Sequence, residues 1–369
     1  MACLSEIIDA LSAPASLFQP AADGAVRCLA CSHTCLIKPG QRGICQMRFN
    51  RGGELRAPWG YVAGVGLDPI EKKPFYHFLP GSQAFTFGML GCNLKCDFCQ
   101  NWVTSQALRD PASDGAAAHI QPASAEELVR MTLNGGAASV VSSYNEPLIT
   151  IEWALEIFSL ARTHGLRTAM ISNGMATPEA LRALQPLLDG FKVDLKCMQE
   201  NSYRQLGGKL QPVLDAIQLA HALGMWVEVV TLLIPHFNDS DAELADMAKF
   251  LVSVSPELPW HVTGFYPTYK RGHTPPTSSD DLARAADIGR TAGLKYVYAG
   301  NRPGQVGSLE NTFCPNCNSP VIQRRGFVIS AYSLTGEGRC PQCANPIAGV
   351  WSQDPASVRL GLWGLPGQP

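Results

Sequence analysis

The stretch Phe85-Thr-Phe-Gly-Met-Leu-Gly-Cys92-Asn-Leu-Lys-Cys96-Asp-Phe98-Cys99-Gln-Asn-Trp102 organises the chain. An apolar run ends in a glycine turn, and three cysteines follow, spaced Cys92-x3-Cys96-x2-Cys99. Three thiolates so close together suit a soft metal centre. Three rather than four suggest a cluster with one corner left open.

Downstream of this stretch the pattern becomes regular. Strands are expected at 84–90, 138–142, 167–171, 190–195, 226–234, 260–266 and 295–298. Helices are expected between them: from Ser124 to Asn134, 149–164, from Thr177, 212–223, from Asp239 or Ser240 to about Val254, and 280–292. Ser124-Ala-Glu-Glu127 resembles a capping box, Gly165 is a helix stop, and Pro178 sits at a first helical position. Strands alternating with helices imply βαβ units and a parallel sheet. About six units fall short of a closed eight-fold barrel, so the fold expected is α/β, a partial (β/α)6 barrel. Active sites of parallel α/β folds lie at the carboxyl ends of the strands. The polar motifs fall there: Cys92–Cys99, Tyr144-Asn-Glu-Pro147, Ser172-Asn-Gly174, Asp194-Leu-Lys196, Pro235-His-Phe-Asn238 and Tyr266-Pro-Thr-Tyr269.

Upstream, residues 3–13 suit a short amphipathic helix, and residues 53–80 suit short strands and loops packed on the main domain. Between them stand Cys28, Cys31, Cys35 and Cys45, four thiols that can close a zinc site or hold a second iron–sulfur cluster. His33 is a spare ligand. After Gly304, Cys314-Pro-Asn-Cys317 and Cys340-Pro-Gln-Cys343 form two knuckles separated by 22 residues, a C-terminal zinc-ribbon-like module. A ribbon this small buries little core, so its metal is expected to hold it folded. The domains expected are a cysteine-rich lead-in (1–80), the barrel (81–305), the ribbon-like module (306–350) and a loosely packed Gly/Pro-rich tail (351–369).

Composition supports this reading. The 369 residues include 13 cysteines, of which all but Cys3 and Cys197 fall into the three clusters. No secretory signal or transmembrane run is evident, so the cysteines read as metal or redox ligands of a cytoplasmic protein. A net charge of −2 gives no electrostatic case for nucleic acid or an anionic membrane. His77, His236 and His261 are taken as structural, and Cys197 as a packed thiol.

The cysteine motif, with aromatic Phe98 before its last cysteine, resembles the signature of the radical S-adenosylmethionine superfamily. The surrounding barrel resembles pyruvate formate-lyase activating enzymes. More narrowly, three features resemble the radical enzyme of the AmmeMemoRadiSam system: the four-cysteine lead-in, the run from Asp68 to Gly81, and the length. The resemblance implies a [4Fe–4S] cluster on Cys92, Cys96 and Cys99. Its open iron would chelate S-adenosylmethionine, and one electron would then release a 5′-deoxyadenosyl radical. It places Phe98 by the adenine. Asn145-Glu146-Pro147 stands where the family has a Gly-Gly-Glu-Pro-like turn that receives the cofactor's amino group, with Tyr144 and Asn145 in place of the glycines. Ser172 and Asn173 would bond the ribose or carboxylate. Lys196 would meet the carboxylate, with Asp194 toward the substrate. The family's late-strand histidine has no counterpart in Phe265-Tyr-Pro-Thr268. The partners implied are a flavodoxin or ferredoxin as reductant, and a protein or small-molecule substrate that loses hydrogen. Taken alone, an Asp-x-Lys pair, a Ser-Asn-Gly or an Asn-Glu-Pro is a solvated pair or a turn. Their placement after successive strands raises them together. The alternative is a non-catalytic binding module stapled by zinc at all three clusters.

Overall fold

The computed structural model describes residues 3–361. Its centre is an eight-stranded sheet. We label its strands β1 (Gly64–Pro69), β2 (Gln83–Gly88), β3 (Ser139–Ser142), β4 (Arg167–Ser172), β5 (Gly190–Asp194), β6 (Trp226–Leu233), β7 (Trp260–Gly264) and β8 (Val297–Gly300). They lie side by side in chain order. From β2 to β8 every pairing is parallel, whereas β1 pairs antiparallel with β2. The sheet does not close, since β8 has no partner in β1, and a partial barrel results. The helices α1 (Ala125–Asn134), α2 (Ile151–Thr163), α3 (Pro178–Leu184), α4 (Gln211–Ala222), α5 (Asp241–Val254) and α6 (Ser279–Thr291) connect successive parallel strands. The capping box at Ser124 and Glu127 is formed. Among the described residues no helix is long and apolar enough to cross a membrane.

Strand period explains the two sides of the sheet. Phe85, Phe87, Val140, Met170, Phe191, Val193, Val229, Trp260 and Val262 belong to one large core, together with the inner faces of the helices. The alternate residues share the opposite face. There Ile171 pairs with Lys192, Lys192 with Glu228, and both Asp194 and His261 with Val230. Charged residues at strand positions therefore mark an enclosed concave side, not solvent.

The run from Asp68 to Gly81 fills the lower part of that side. Ile70, Phe75 and Phe78 pack on Ala84, Val141 and Ala169. A Cβ on Gly190 would meet the Phe78 ring at 3.1 Å, so glycine makes room for the plug. The backbone N–H groups of Tyr76 and His77 donate to the buried Glu228 carboxylate at 3.0 and 2.9 Å. His261 Nε2 lies 2.6 Å from the same carboxylate.

Several expectations shift. The strand expected at 295–298 runs from Val297 to Gly300, and a short helix at Glu200–Gln205 is additional. Residues 53–80 do more than pack on the main domain, because β1 is a strand of its sheet. The line drawn at 80/81 thus falls between two paired strands. The cysteine ribbon, with strands Thr312–Phe313, Pro320–Arg325 and Val328–Tyr332, is not short of a core. Its Val321, Ile322 and Ile329 share one cluster with Tyr76, Tyr296 and Tyr298 from the barrel. Arg324 is buried there, donating to the Tyr76 carbonyl at 2.8 Å. Of the expected loose tail, residues 362–369 lie outside the described residues. Arg359 and Gly361 bond back to Gly81 and Ile329.

Candidate active site

The carboxyl ends of β2 to β5 stand level, because Phe87 pairs with Ser142, Ser142 with Met170, Ser172 with Val193 and Asp194 with Val230. Above them opens a cavity of about 320 Å³. Cys92, Cys96, Phe98, Cys99, Asn145, Glu146, Ser172, Asn173, Asp194 and Lys196 all line it. Every residue expected at the central site is therefore brought to one place. Lys72 and Pro74 of the plug also line this cavity, as does Lys192 of β5.

Glu146 is buried and held by three donors, which leaves its carboxylate room for another. Its carboxylate accepts from Ser172 Oγ at 2.7 Å, Asn173 N at 2.8 Å and Leu148 N at 3.1 Å. Burial pushes its carboxyl up to about 7 despite these donors. Asn145 Oδ1 accepts from Met89 N at 3.1 Å and ties the turn to the end of β2. Tyr144 holds φ +70°, the left-handed region that glycine would occupy. Its phenol is anchored by Lys73 Nζ at 3.3 Å, and the ammonium lies 5.0 Å from the ring centre. Gly88 permits the turn, since a Cβ there would sit 2.4 Å from the Ser143 carbonyl.

Asp194 lies between two lysines, with Lys192 and Lys196 each 3.3 Å away. Burial opposes its charge, but the two ammonium groups outweigh it and hold the carboxyl below its ordinary value. Burial would pull Lys196 down, and the Asp194 carboxylate holds it up instead. Asn238 fixes the lysine's loop by donating to the Lys196 carbonyl at 2.7 Å.

The cysteine loop is held from both sides. Arg109 donates to the carbonyls of Cys92 and Leu94. Leu94 N points at Cys92 Sγ at 3.4 Å, and Ser105 Oγ lies 3.2 Å from Cys99 Sγ. The segment after β7 straps the outside: Lys270 N donates to the Asp97 carbonyl at 3.0 Å, Arg271 Nε to Asp97 Oδ2 at 2.9 Å, and Tyr269 stacks on Trp102. Arg271 also lies over Phe237, which packs against Phe98. Burial pushes the Cys96 thiol up to about 12, against the pull of Lys196, and also raises Cys92 well above its ordinary value. Thiols so placed become ligand thiolates when a metal centre supplies the positive charge. The donor set fits an iron–sulfur cluster.

The ribbon forms a second, separate centre. Cys314 Sγ lies 3.6 Å from Cys343 Sγ, and Cys317 Sγ lies 3.6 Å from Cys340 Sγ. Among the described residues these four make the one group of His, Cys, Asp or Glu ligand atoms all within 4.8 Å of one another. Each knuckle closes with a left-handed residue, Asn318 or Ala344, whose N–H returns to the first cysteine's carbonyl at 2.9 Å.

A model of the radical SAM superfamily matches residues 87–251. An uncharacterized protein of Methanocaldococcus jannaschii is 36% identical over 336 residues, covering 90% of this chain and 98% of its own length. The chain belongs to the radical SAM superfamily. Within it, the chain is similar to pyruvate formate-lyase-activating enzymes. That of Listeria monocytogenes is 27% identical over 211 residues, covering 51% of this chain and 78% of the enzyme. A radical SAM methyltransferase from Sphaerobacter thermophilus aligns with a TM-score of 0.46 at 17% identity, over 63% of this chain and 70% of the other. Membership in the radical SAM superfamily implies a [4Fe–4S] cluster and S-adenosylmethionine. For a radical SAM protein the three-cysteine loop is the expected holder of the cluster, and it faces the cavity.

Two residues of the site escaped the sequence reading. Lys192 stands two before Asp194 on the concave face, a signal visible once the strand's period is followed inward. Asn93, fully buried beside Cys92, carried none. Cys197 is buried, and burial pushes its thiol up to about 12, which suits a packed thiol. His77 and His261 are buried in the network around Glu228, and Asp239 Oδ1 caps a turn by accepting from the His236 backbone N–H at 3.0 Å.

Proposed function

We propose that the chain is a radical S-adenosylmethionine enzyme that abstracts hydrogen from a protein, in the manner of an activating enzyme, or from a small molecule. One observation carries the reading: three cysteine thiols, a buried carboxylate and a half-buried lysine converge on one cavity at the strand ends. When bound, the [4Fe–4S] cluster would supply the electron that cleaves the cofactor's sulfonium and releases a 5′-deoxyadenosyl radical. Cys92, Cys96 and Cys99 would hold the cluster. Glu146 is the natural receiver of the cofactor's ammonium, because a carboxyl raised by burial gains most from a cation brought beside it. Asn173 and Ser172 hold that carboxylate in position and offer hydrogen bonds to ribose or carboxylate. Lys196 is the counter-charge for the amino acid's carboxylate, and Asp194 keeps its ammonium charged. Phe98 offers the adenine an apolar face. The strap formed by residues 266–274 shields the cysteine loop and limits water near the reacting atoms. The four ribbon thiols would hold zinc, whose tetrahedral shell sets sulfurs about 3.8 Å apart for a Zn–S distance of about 2.3 Å. A flavodoxin or ferredoxin would supply the electron.

The reading is tested by electron paramagnetic resonance on the anaerobically reconstituted, reduced protein. S-adenosylmethionine should shift the cluster signal of the wild type and leave that of Lys196→Ala nearly unmoved at the same concentration. An unchanged wild-type signal at saturating cofactor overturns the reading.

A further inference from the structure

The proposed reaction makes no use of Cys28, Cys31, Cys35 and Cys45. Three of them are buried and Cys35 is half-buried. The backbone gathers them: Cys28 N donates to the Cys35 carbonyl at 2.9 Å, Thr34 N donates to the Cys31 carbonyl at 3.0 Å, and Ile44, the neighbour of Cys45, lies against Cys35. An amide points at one of the sulfurs, with Ile44 N 3.5 Å from Cys35 Sγ. The Arg48 guanidinium is buried beside Cys28 and Cys45, and Glu152 clamps it through two contacts of 2.7 Å. An aimed amide and a buried cation suit an anionic metal–thiolate centre.

Location distinguishes one ion from a cluster. The ribbon cysteines stand 3.6 Å apart in pairs, close to the spacing a single zinc sets. The N-terminal four stand instead against the loop of Cys92, Cys96 and Cys99, where a redox-active centre has a partner and redox-inert zinc has none.

Asn93 joins the two groups. It follows Cys92 in the chain and is fully buried. Its Oδ1 accepts from Asn173 Nδ2 at 2.6 Å, whereas its Nδ2 has no hydrogen-bond partner and stands beside Cys31. Its backbone carbonyl lies 3.0 Å from His33 Nε2, and Ser32 N donates to Met175 O at 2.8 Å. A Cβ on Gly91 would come within 2.2 Å of Met47 Cγ, so the two cysteine loops are in direct contact.

We infer that Cys28, Cys31, Cys35 and Cys45 hold a second, redox-active iron–sulfur cluster that passes electrons across the Asn93 contact to the cluster on Cys92, Cys96 and Cys99. The relay rests on the proposed function; the second cluster does not. One electron leaves a reduced flavodoxin or ferredoxin, which is oxidised by one electron. The N-terminal cluster is reduced and then reoxidised as the other cluster gains that electron, and no bond forms or breaks.

The full chain carrying Cys92→Ala, Cys96→Ala and Cys99→Ala together, reconstituted anaerobically, should keep about four iron atoms per chain and a paramagnetic signal on reduction. No iron, with zinc at both the N-terminal and ribbon sites, overturns the second cluster. With the N-terminal signal identified in that variant, rapid-freeze spectra of the wild type mixed with substoichiometric reduced flavodoxin test the relay. The N-terminal signal should rise first, and a signal from the other cluster rising first overturns the relay. A wild type that never cleaves S-adenosylmethionine, alongside a variant that keeps its cluster, removes the proposed function and leaves the second cluster standing.

Discussion

Glu146 is the side chain proposed to receive the cofactor's amino end. Three donors hold its carboxylate, and burial raises its proton affinity. Glu146→Gln keeps the shape, removes the charge and sets an amide N–H₂ against one of those donors. S-adenosylmethionine binding should weaken at least about tenfold, the scale of one charge-assisted hydrogen bond. Calorimetric titration of folded, cluster-loaded protein checks this, and unchanged affinity removes Glu146 from the role. Glu146, Asn173 and Lys196 were legible because each follows a strand that period and capping had already located. Tyr144 was visible only as a departure from a glycine-rich turn. Its left-handed backbone depends on Gly88 and Lys73, which stand far away in sequence. Lys192 and Asn93 were illegible for a similar reason. A lysine inside a strand reads as solvent-facing until the concave side is known, and an asparagine between two ligand cysteines reads as a spacer.

At the scale of elements, the glycine turn before Cys92 and the plug do most to position the site. Gly91 has φ +91° and touches Met47, so Gly91→Ala brings both backbone strain and overlap. It should destabilise the protein by about 2 kcal/mol or more, read as a lower midpoint in urea denaturation. The plug predicts a pH dependence. His77 is buried, with Nδ1 2.6 Å from the Ala348 carbonyl and Nε2 2.5 Å from the Tyr298 hydroxyl. Burial holds its ring down to about 4 from the usual 6.5, against the pull of Glu228. The unfolded chain therefore takes up a proton below about pH 6.5 while the folded chain does not. The stability this site contributes is complete above that pH and is lost as pH falls toward 4, on the order of 3 kcal/mol. His77→Gln should flatten this acid limb in urea titrations at pH 7, 6 and 5, whereas a parallel curve would assign the limb to other groups. The plug was only half legible. Its prolines and weak alternation indicated irregular chain, but the destination of Phe75 and Phe78 depends on the space left by Gly190, over a hundred residues away.

Across the whole molecule, three cysteine groups share one body. The lead-in cysteines Cys28 and Cys45 belong to the same core as the barrel helices, and the ribbon shares its core with β8 and the plug. Barrel and ribbon were legible as units because their periods and knuckles are local. Their union was not, since it runs through Tyr76, Tyr298 and Arg324, which no local pattern connects. The ribbon's metal should therefore support the plug as well as the ribbon. Stripping the proposed ribbon zinc with a chelator should lower the melting temperature of the whole chain by several degrees, and added zinc should restore it; calorimetry that shows an unmoved transition would separate the ribbon from the barrel's stability. The cavity at the strand ends is proposed to cleave S-adenosylmethionine through a cluster on Cys92, Cys96 and Cys99. The most direct measurement is 5′-deoxyadenosine released by anaerobically reconstituted protein under a low-potential reductant. The wild type should form it, and Cys96→Ala should form none above background. Equal release from both proteins, or none from a wild type with its iron verified, would contradict it.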